Sequence, residues 1–216
     1  DNPRLLMDFP EVCGQGRTWR EGEMVTRNSV RVQGIGSRQK VRGRRHGPYR
    51  PDLVFLDDIE NDENVRSPEF RNKLETWVLK AVEPLGPADG SLDLIVMGTL
   101  LHFDAVLKRL GNRPGWELHV WKALMEFPAR MDLWDRFTDN ALNDGEDAAV
   151  RFYQAHRPDM DLGAVLFWPQ MKPLVALMYK RATSEDSFQS EDQNDPVADG
   201  SPFKVIKFWV SRLANW

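Results

Sequence analysis

Asp57 and Asp58 are the residues of this chain best placed to do chemistry. They close a short apolar run, Leu53 to Leu56, and open an acidic stretch that continues through Glu60, Asp62 and Glu63. A brief, continuous apolar run fits a strand buried on both faces, as in a parallel sheet. Open α/β sheets bind ligands at the carboxyl ends of such strands. An acid pair there can hold Mg²⁺ through one carboxylate and activate water through its neighbour. The ordinary alternative is a strand followed by a solvated acidic turn.

A basic segment lies just upstream. Between residues 38 and 50, Arg38, Lys40, Arg42, Arg44, Arg45 and Arg50 stand with His46 and without an acid. A cationic loop next to an acidic cluster suits a site that handles phosphates, or it is a solvated loop balancing its neighbour. Arg42, Arg44 and Arg45 admit two active roles. One is an arginine finger on a neighbouring subunit's nucleotide. The other is contact with DNA phosphates. Gly43, which would let the backbone approach a phosphate, tilts Arg42 toward the finger.

The elements that must position these groups alternate. Glu23–Thr26 and Ser29–Val32 read as two short strands around Arg27-Asn28. Ser67-Pro68 starts a helix whose apolar positions run from Phe70 to Val82 and which Pro84 and Gly86 stop. Leu92 to Met97 is a second apolar strand, ending at Gly98-Thr99. A helix with Phe103, Val106, Leu107 and Leu110 on one face ends at Gly111, and Trp116 to Leu124 alternates as a third strand. This order implies parallel pairing with right-handed crossovers. Helical stretches near 146–156 and 171–182 carry aromatics read as core, and the polar stretch 183–202 reads as a linker.

Composition bounds the rest. The 216 residues carry a net charge of −4 and are 41% hydrophobic and 29% charged, as in a globular chain. No apolar run approaches membrane-spanning length, and no signal peptide opens the chain. A lone Cys13 excludes an internal disulfide and suits a reducing cytoplasm, and the four His have no zinc spacing. The chain holds no G-x-x-x-x-G-K-[ST] loop. Its start at Asp1, in what reads as a polar helix end, and its stop at Trp216 suggest a fragment.

Several segments, in order, resemble the large terminase subunits of tailed phages. They are Gln39-Lys40-Val41-Arg42-Gly43, Arg50-Pro51-Asp52-Leu53 through Asp62-Glu63-Asn64-Val65-Arg66, and Met97-Gly98-Thr99 with His102. Leu166-Phe167-Trp168-Pro169 and Phe188 to Pro196 follow, the last being a hinge or packing motif rather than a catalytic one. The resemblance implies an α/β fold of the additional-strand P-loop NTPase type, a mainly parallel sheet flanked by helices, here incomplete and with a helical C-terminal subdomain. It implies a partial ATPase core over 1–128, a helical subdomain over 129–182, and over 183–216 a linker leading to an absent nuclease.

The intact protein would use ATP and Mg²⁺ to drive double-stranded DNA into a procapsid and would cut concatemeric DNA. It would work in the host cytoplasm as a homo-oligomeric ring with portal protein and small terminase subunit, with no membrane. Asp57 would hold Mg²⁺ through water, and Asp58 would stand where the family carries a catalytic glutamate, with Glu60 as substitute. Gly98 and Thr99 resemble the γ-phosphate-sensing coupling motif, and His102 either joins it or caps the next helix. The alternatives are another P-loop motor, such as a helicase, and a non-catalytic prophage remnant or DNA-binding module.

Overall fold

A computed structural model describes residues 2–36 and 39–196. The chain divides into two compact units, one formed by the residues up to Ile59 with Lys73–Val96, the other by Glu60–Asn72 with the residues from Met97 on. The fold is mixed α/β with a small parallel sheet.

The first unit opens with α1 (Pro3–Asp8). Asn2 caps it, its side chain accepting from Arg4 N at 3.0 Å, so this segment is a helix start rather than the helix end read from the sequence. Strands β1 (Gln15–Arg20), β2 (Glu23–Thr26) and β3 (Arg31–Gln33) form an antiparallel sheet in that order. The pair expected from Glu23 to Val32 is therefore present, with Ser29 at φ 69° in its turn, and β1 is an additional strand. Glu23 ties this sheet together by pairing with Arg20 and with Arg31.

Strands β4 (Leu53–Asp57) and β5 (Asp93–Met97) form the parallel pair. Their burial alternates instead of being complete. Leu56 is buried, whereas Leu53, Phe55, Ile95 and Met97 are exposed. Among the described residues, one face of this two-stranded sheet is apolar and bare. A sheet face of this kind ordinarily packs against another layer.

The segment between them runs through α2 (Asp62–Val65) and α3 (Pro68–Trp77). Ser67 Oγ accepts from Phe70 N at 3.2 Å, which is the cap that the Ser-Pro pair announces. Val78–Val82 then form a turn of π-helix and Glu83–Leu85 a 3₁₀ turn, burying Val78, Val82 and Leu85.

In the second unit, α4 (Val106–Gly111) buries Val106, Leu107 and Leu110. The third parallel strand expected over Trp116–Leu124 does not form. Strand β6 spans only Leu124–Glu126 and pairs antiparallel with β7 (Val165–Leu166). The alternating residues before it have other tasks. Leu118 packs on Gly111, where an added Cβ would stand 2.6 Å from Leu118 Cβ, and Ala123 N donates to Asp192 O at 2.7 Å.

The main core follows in α5 (Met131–Asn143), α6 (Glu146–Met160) and α7 (Leu174–Thr183). Trp134, Phe137, Tyr153, Leu177 and Met178 are buried there, so the aromatics are core as expected. Trp134 Nε1 donates to Met160 O at 2.9 Å, satisfying the indole in the apolar interior.

The polar stretch from 183 is not a bare linker. It forms α8 (Glu185–Ser187) and a π-helical turn over Phe188–Asp192. Phe188 is wholly buried in the helical core, edge-on to Phe127. Asp192 is buried and paired with Lys172 and, at 2.7 Å, with Lys180. Burial works against its charge, but the two lysines outweigh burial and hold its pKa below the ordinary value. The part of the expected linker from 197 to 216 lies outside the described residues.

A core role for Phe188 is measurable. Phe188→Ala should lower the unfolding free energy by about 3–5 kcal/mol. The exposed Trp168→Ala should stay within about 0.5 kcal/mol of wild type. Urea unfolding of both variants checks this, and equal effects would contradict it.

Candidate functional site

Strand β4 delivers Asp57 and Asp58 to solvent, and both residues are exposed. Neither carboxylate has a hydrogen bond or ion pair among the described residues. Asp58 sits at φ 45°, a left-handed conformation that Asp, like Asn, adopts more readily than most side chains. The chain therefore turns sharply where the strand ends, and it carries two uncommitted carboxylates at the turn.

Glu60, two residues on, has a different environment. It is only 6% exposed. Both carboxylate oxygens accept from Val106 N at 2.9 Å, and Oε2 also lies 3.4 Å from Leu107 N. These amides open α4 and would otherwise be unpaired in the interior. Burial pushes the Glu60 pKa up, and the Val106 and Leu107 amides oppose that shift. Its oxygens are thus committed to α4.

Asp62 and Glu63 are exposed in the first turn of α2, where acids favour the helix dipole. The cap of that helix is Asn61, whose side chain accepts from Asn64 N at 2.9 Å.

Around α4 the charges form a compact network. Arg71, almost fully buried, pairs with Asp104 at 3.0 Å and donates to Val65 O. Arg109 pairs with the same carboxylate and donates to Asn72 Oδ1 at 2.7 Å. Hydrogen bonds from Arg109, then from Arg71, hold the Asp104 pKa at about 2. Sequence reading singled out none of these three residues. Their partners are distant in sequence, and only Arg109 and Asp104 are close enough to suggest a local pair.

Gly98 and Thr99 leave β5 in a short turn, with Leu101 N donating to Thr99 O at 3.0 Å. His102 Nδ1 accepts from Asp104 N at 3.0 Å, so this half-buried ring caps the turn leading into α4. Leu100 N donates to Asn194 Oδ1 at 3.0 Å. The segment after Gly98-Thr99 is thereby joined to the Phe188–Pro196 motif across 94 residues.

The basic segment resolves unevenly. Arg42 donates to Lys80 O in the π-helical turn, and its neighbour Val41 is buried. Arg44, half-buried, donates to Lys40 O at 3.1 Å. Arg50 reaches Pro84 O at 3.4 Å. Arg45 is exposed, and its guanidinium has no partner among the described residues. Arg42 thus has a visible structural task, although Gly43 beside it is open, with no atom within 4 Å of an added Cβ.

Among the described residues, no three His, Cys, Asp or Glu side chains assemble to hold a metal ion. An acid pair alone still suits Mg²⁺, which retains several waters and is commonly bound by one or two carboxylates with substrate phosphates. Two exposed, unpaired carboxylates fit that description. No helix among the described residues is long and apolar enough to cross a membrane. Compared with known proteins, the chain matches no family model, no curated protein and no solved structure at a significant level.

The ionic network around α4 has a definite pH signature. Asp104 is depressed to about 2 from 3.8, so its stabilising contribution is complete above the unfolded value and is lost as pH falls toward 2. Glu60 is raised above 4.5, so its contribution is complete below that value and declines as pH rises through the folded pKa. In Arg109→Met the Asp104 carboxyl should titrate higher, and acid unfolding should begin at higher pH. A carboxyl NMR titration of both proteins checks this. An unmoved Asp104 would show that Arg109 is not its main partner.

Proposed function

We propose that this chain is the later part of the ATPase region of a terminase large subunit, a motor that drives double-stranded DNA into a procapsid. One observation carries the nucleotide-hydrolysing part of this reading, and the ordered sequence resemblance carries the rest. The apolar strand β4, parallel to β5, ends in two exposed and unpaired carboxylates with Asp58 in a left-handed turn. An acid pair at a strand end suits a hydrated Mg²⁺ held against nucleotide phosphates.

In this reading Asp57 holds Mg²⁺ through water. The bound ion would neutralise charge on the β- and γ-phosphates. Asp58 orients the attacking water. Gly98 and Thr99 sense the γ-phosphate, with His102 as a cap rather than a sensor. Glu60 is a structural anchor for α4, because both its oxygens are already hydrogen-bonded. Arg45 gains weight as the finger or DNA contact, since Arg42 and Arg44 hold backbone carbonyls.

These 216 residues hold no G-x-x-x-x-G-K-[ST] phosphate cradle, which the proposed motor would need from elsewhere. The bare apolar face of β4 and β5 agrees, because further strands or helices would cover Leu53, Phe55 and Ile95. The wider proposal includes portal protein, small terminase subunit, ring assembly and a downstream nuclease in the host cytoplasm. It rests on the ordered sequence resemblance alone. A helicase-type motor would use the same acid pair, and the Phe188–Pro196 motif favours the terminase reading.

The test is ATP turnover by an intact protein that supplies the phosphate-binding loop. Asp57→Ala should abolish turnover. Asp58→Asn should lower kcat more than it raises KM, because it acts mainly in the transition state. Arg45→Ala should lower kcat by roughly a thousandfold if it is the finger, or flatten the salt slope of DNA binding by about one if it contacts phosphate. Normal turnover in Asp57→Ala would overturn the proposal.

A further inference from the structure

The Phe188–Pro196 segment does more than fill the helical core. Three successive residues at its end each hold a different piece of backbone. Asp192 O accepts from Ala123 N at 2.7 Å. Gln193 is 3% exposed and, in the amide orientation that satisfies both its polar atoms, donates to Leu124 O at 3.0 Å and accepts from Leu124 N at 3.3 Å. Asn194 Oδ1 accepts from Leu100 N at 3.0 Å, and its Nδ2 donates to Trp121 O at 3.0 Å.

Asn194 is the only one of the three that reaches the turn following Gly98-Thr99. Its side chain uses both ends of the amide, one on Leu100 and one on Trp121. Its backbone lies at φ 48°, where Asn is tolerated far better than most side chains. Glycine would accept that backbone but has no side chain to make either bond. Aspartate would keep an acceptor for Leu100 N but lose the donor for Trp121 O. The identity of the residue therefore follows from two requirements, a left-handed backbone and a two-ended amide.

The far end of this link is anchored in the helical core. Phe188 is wholly buried, and Asp192 is buried between Lys172 and Lys180 of the helical core. Leu100 is itself 6% exposed, so an unpaired N–H there would be a buried orphan. Displacement of the turn and displacement of the core segment are thus tied through one side chain.

We propose that Asn194 is a positioning residue that makes the turn after Gly98-Thr99 move as one body with the helical core. It would transmit the state of a nucleotide-sensing turn to that core. The transmission role rests on the nucleotide-sensing assignment made above, whereas the link itself does not.

The experiment has two arms. In the present chain, hydrogen exchange at the Leu100 amide is compared among wild type, Asn194→Ala, Asn194→Gly and Asn194→Asp. Exchange should rise by about tenfold or more in Ala and Gly and remain near wild type in Asp, which keeps the acceptor. Asn194→Gly guards against a folding defect, because it relieves the left-handed backbone while deleting both bonds. In the intact protein, ATP turnover without DNA should stay within about threefold of wild type in these variants, while DNA moved per ATP falls by about tenfold in Ala and Gly.

Unchanged Leu100 exchange in both Ala and Gly would overturn the link. Raised exchange with unchanged DNA moved per ATP would overturn the transmission role and leave a static brace. Failure of the functional reading is recognised separately, as ATP turnover that survives Asp57→Ala. The transmission role then falls with it, and the exchange arm still decides the link.

Discussion

A buried carboxylate accepting the first amides of a short helix is the constraint that holds the segment around α4. Helix α4 spans Val106–Gly111 and is too short to persist alone in water. Its opening N–H groups lie in the interior, and Glu60 pairs with them from a position 46 residues earlier in the chain. Removing that carboxylate would leave buried donors without partners, a loss of roughly 1–3 kcal/mol for each such group. The same contact divides the acidic run by task. Glu60 turns inward to the helix, while Asp57 and Asp58 remain in solvent with free oxygens.

Around this anchor, charge is used to fix positions rather than to decorate a surface. Arg71 and Arg109 converge on Asp104, and Arg71 also satisfies Val65 O. In the helical core, Lys172 and Lys180 converge on Asp192. In both places a carboxylate of lowered pKa is held by two cations. The lowered pKa of each carboxylate means that folding favours its charged, paired form. These pairs set the ends of the segments that meet at Leu100 and Asn194.

Local signals in the sequence were read well where the physics is local. Ser67-Pro68 announces its helix because capping involves only the next three residues. The apolar runs at Leu53 and Leu94 become strands because their β-branched and apolar content leaves few alternatives. Trp116–Leu124 looked like a strand because Trp116, Leu118 and Val120 alternate, but that pattern does not reveal that Leu118 packs on Gly111. Within the helical subdomain expected over 129–182, the start of α5 is unmarked, because Arg130 at its N-cap provides no side-chain cap. The polar composition of 183–192 concealed a buried segment, since its acid is paid for by lysines on a different stretch of chain. Of the candidate site, the strand that ends at Asp57 is legible in the sequence. That Glu60 faces α4 is not, because its partners are Val106 and Leu107.

In the proposed motor, Asp57 and Asp58, rather than the other acids of the run, face a nucleotide-bound divalent ion. The most direct measurement is paramagnetic broadening of carboxyl and amide NMR signals in the intact protein loaded with ATP and Mn²⁺ in place of Mg²⁺. The account predicts that broadening is strongest at Asp57 and Asp58 and appears only when nucleotide is present. Broadening that is independent of ATP, or that centres on Asp62 and Glu63 and spares Asp57, would contradict it.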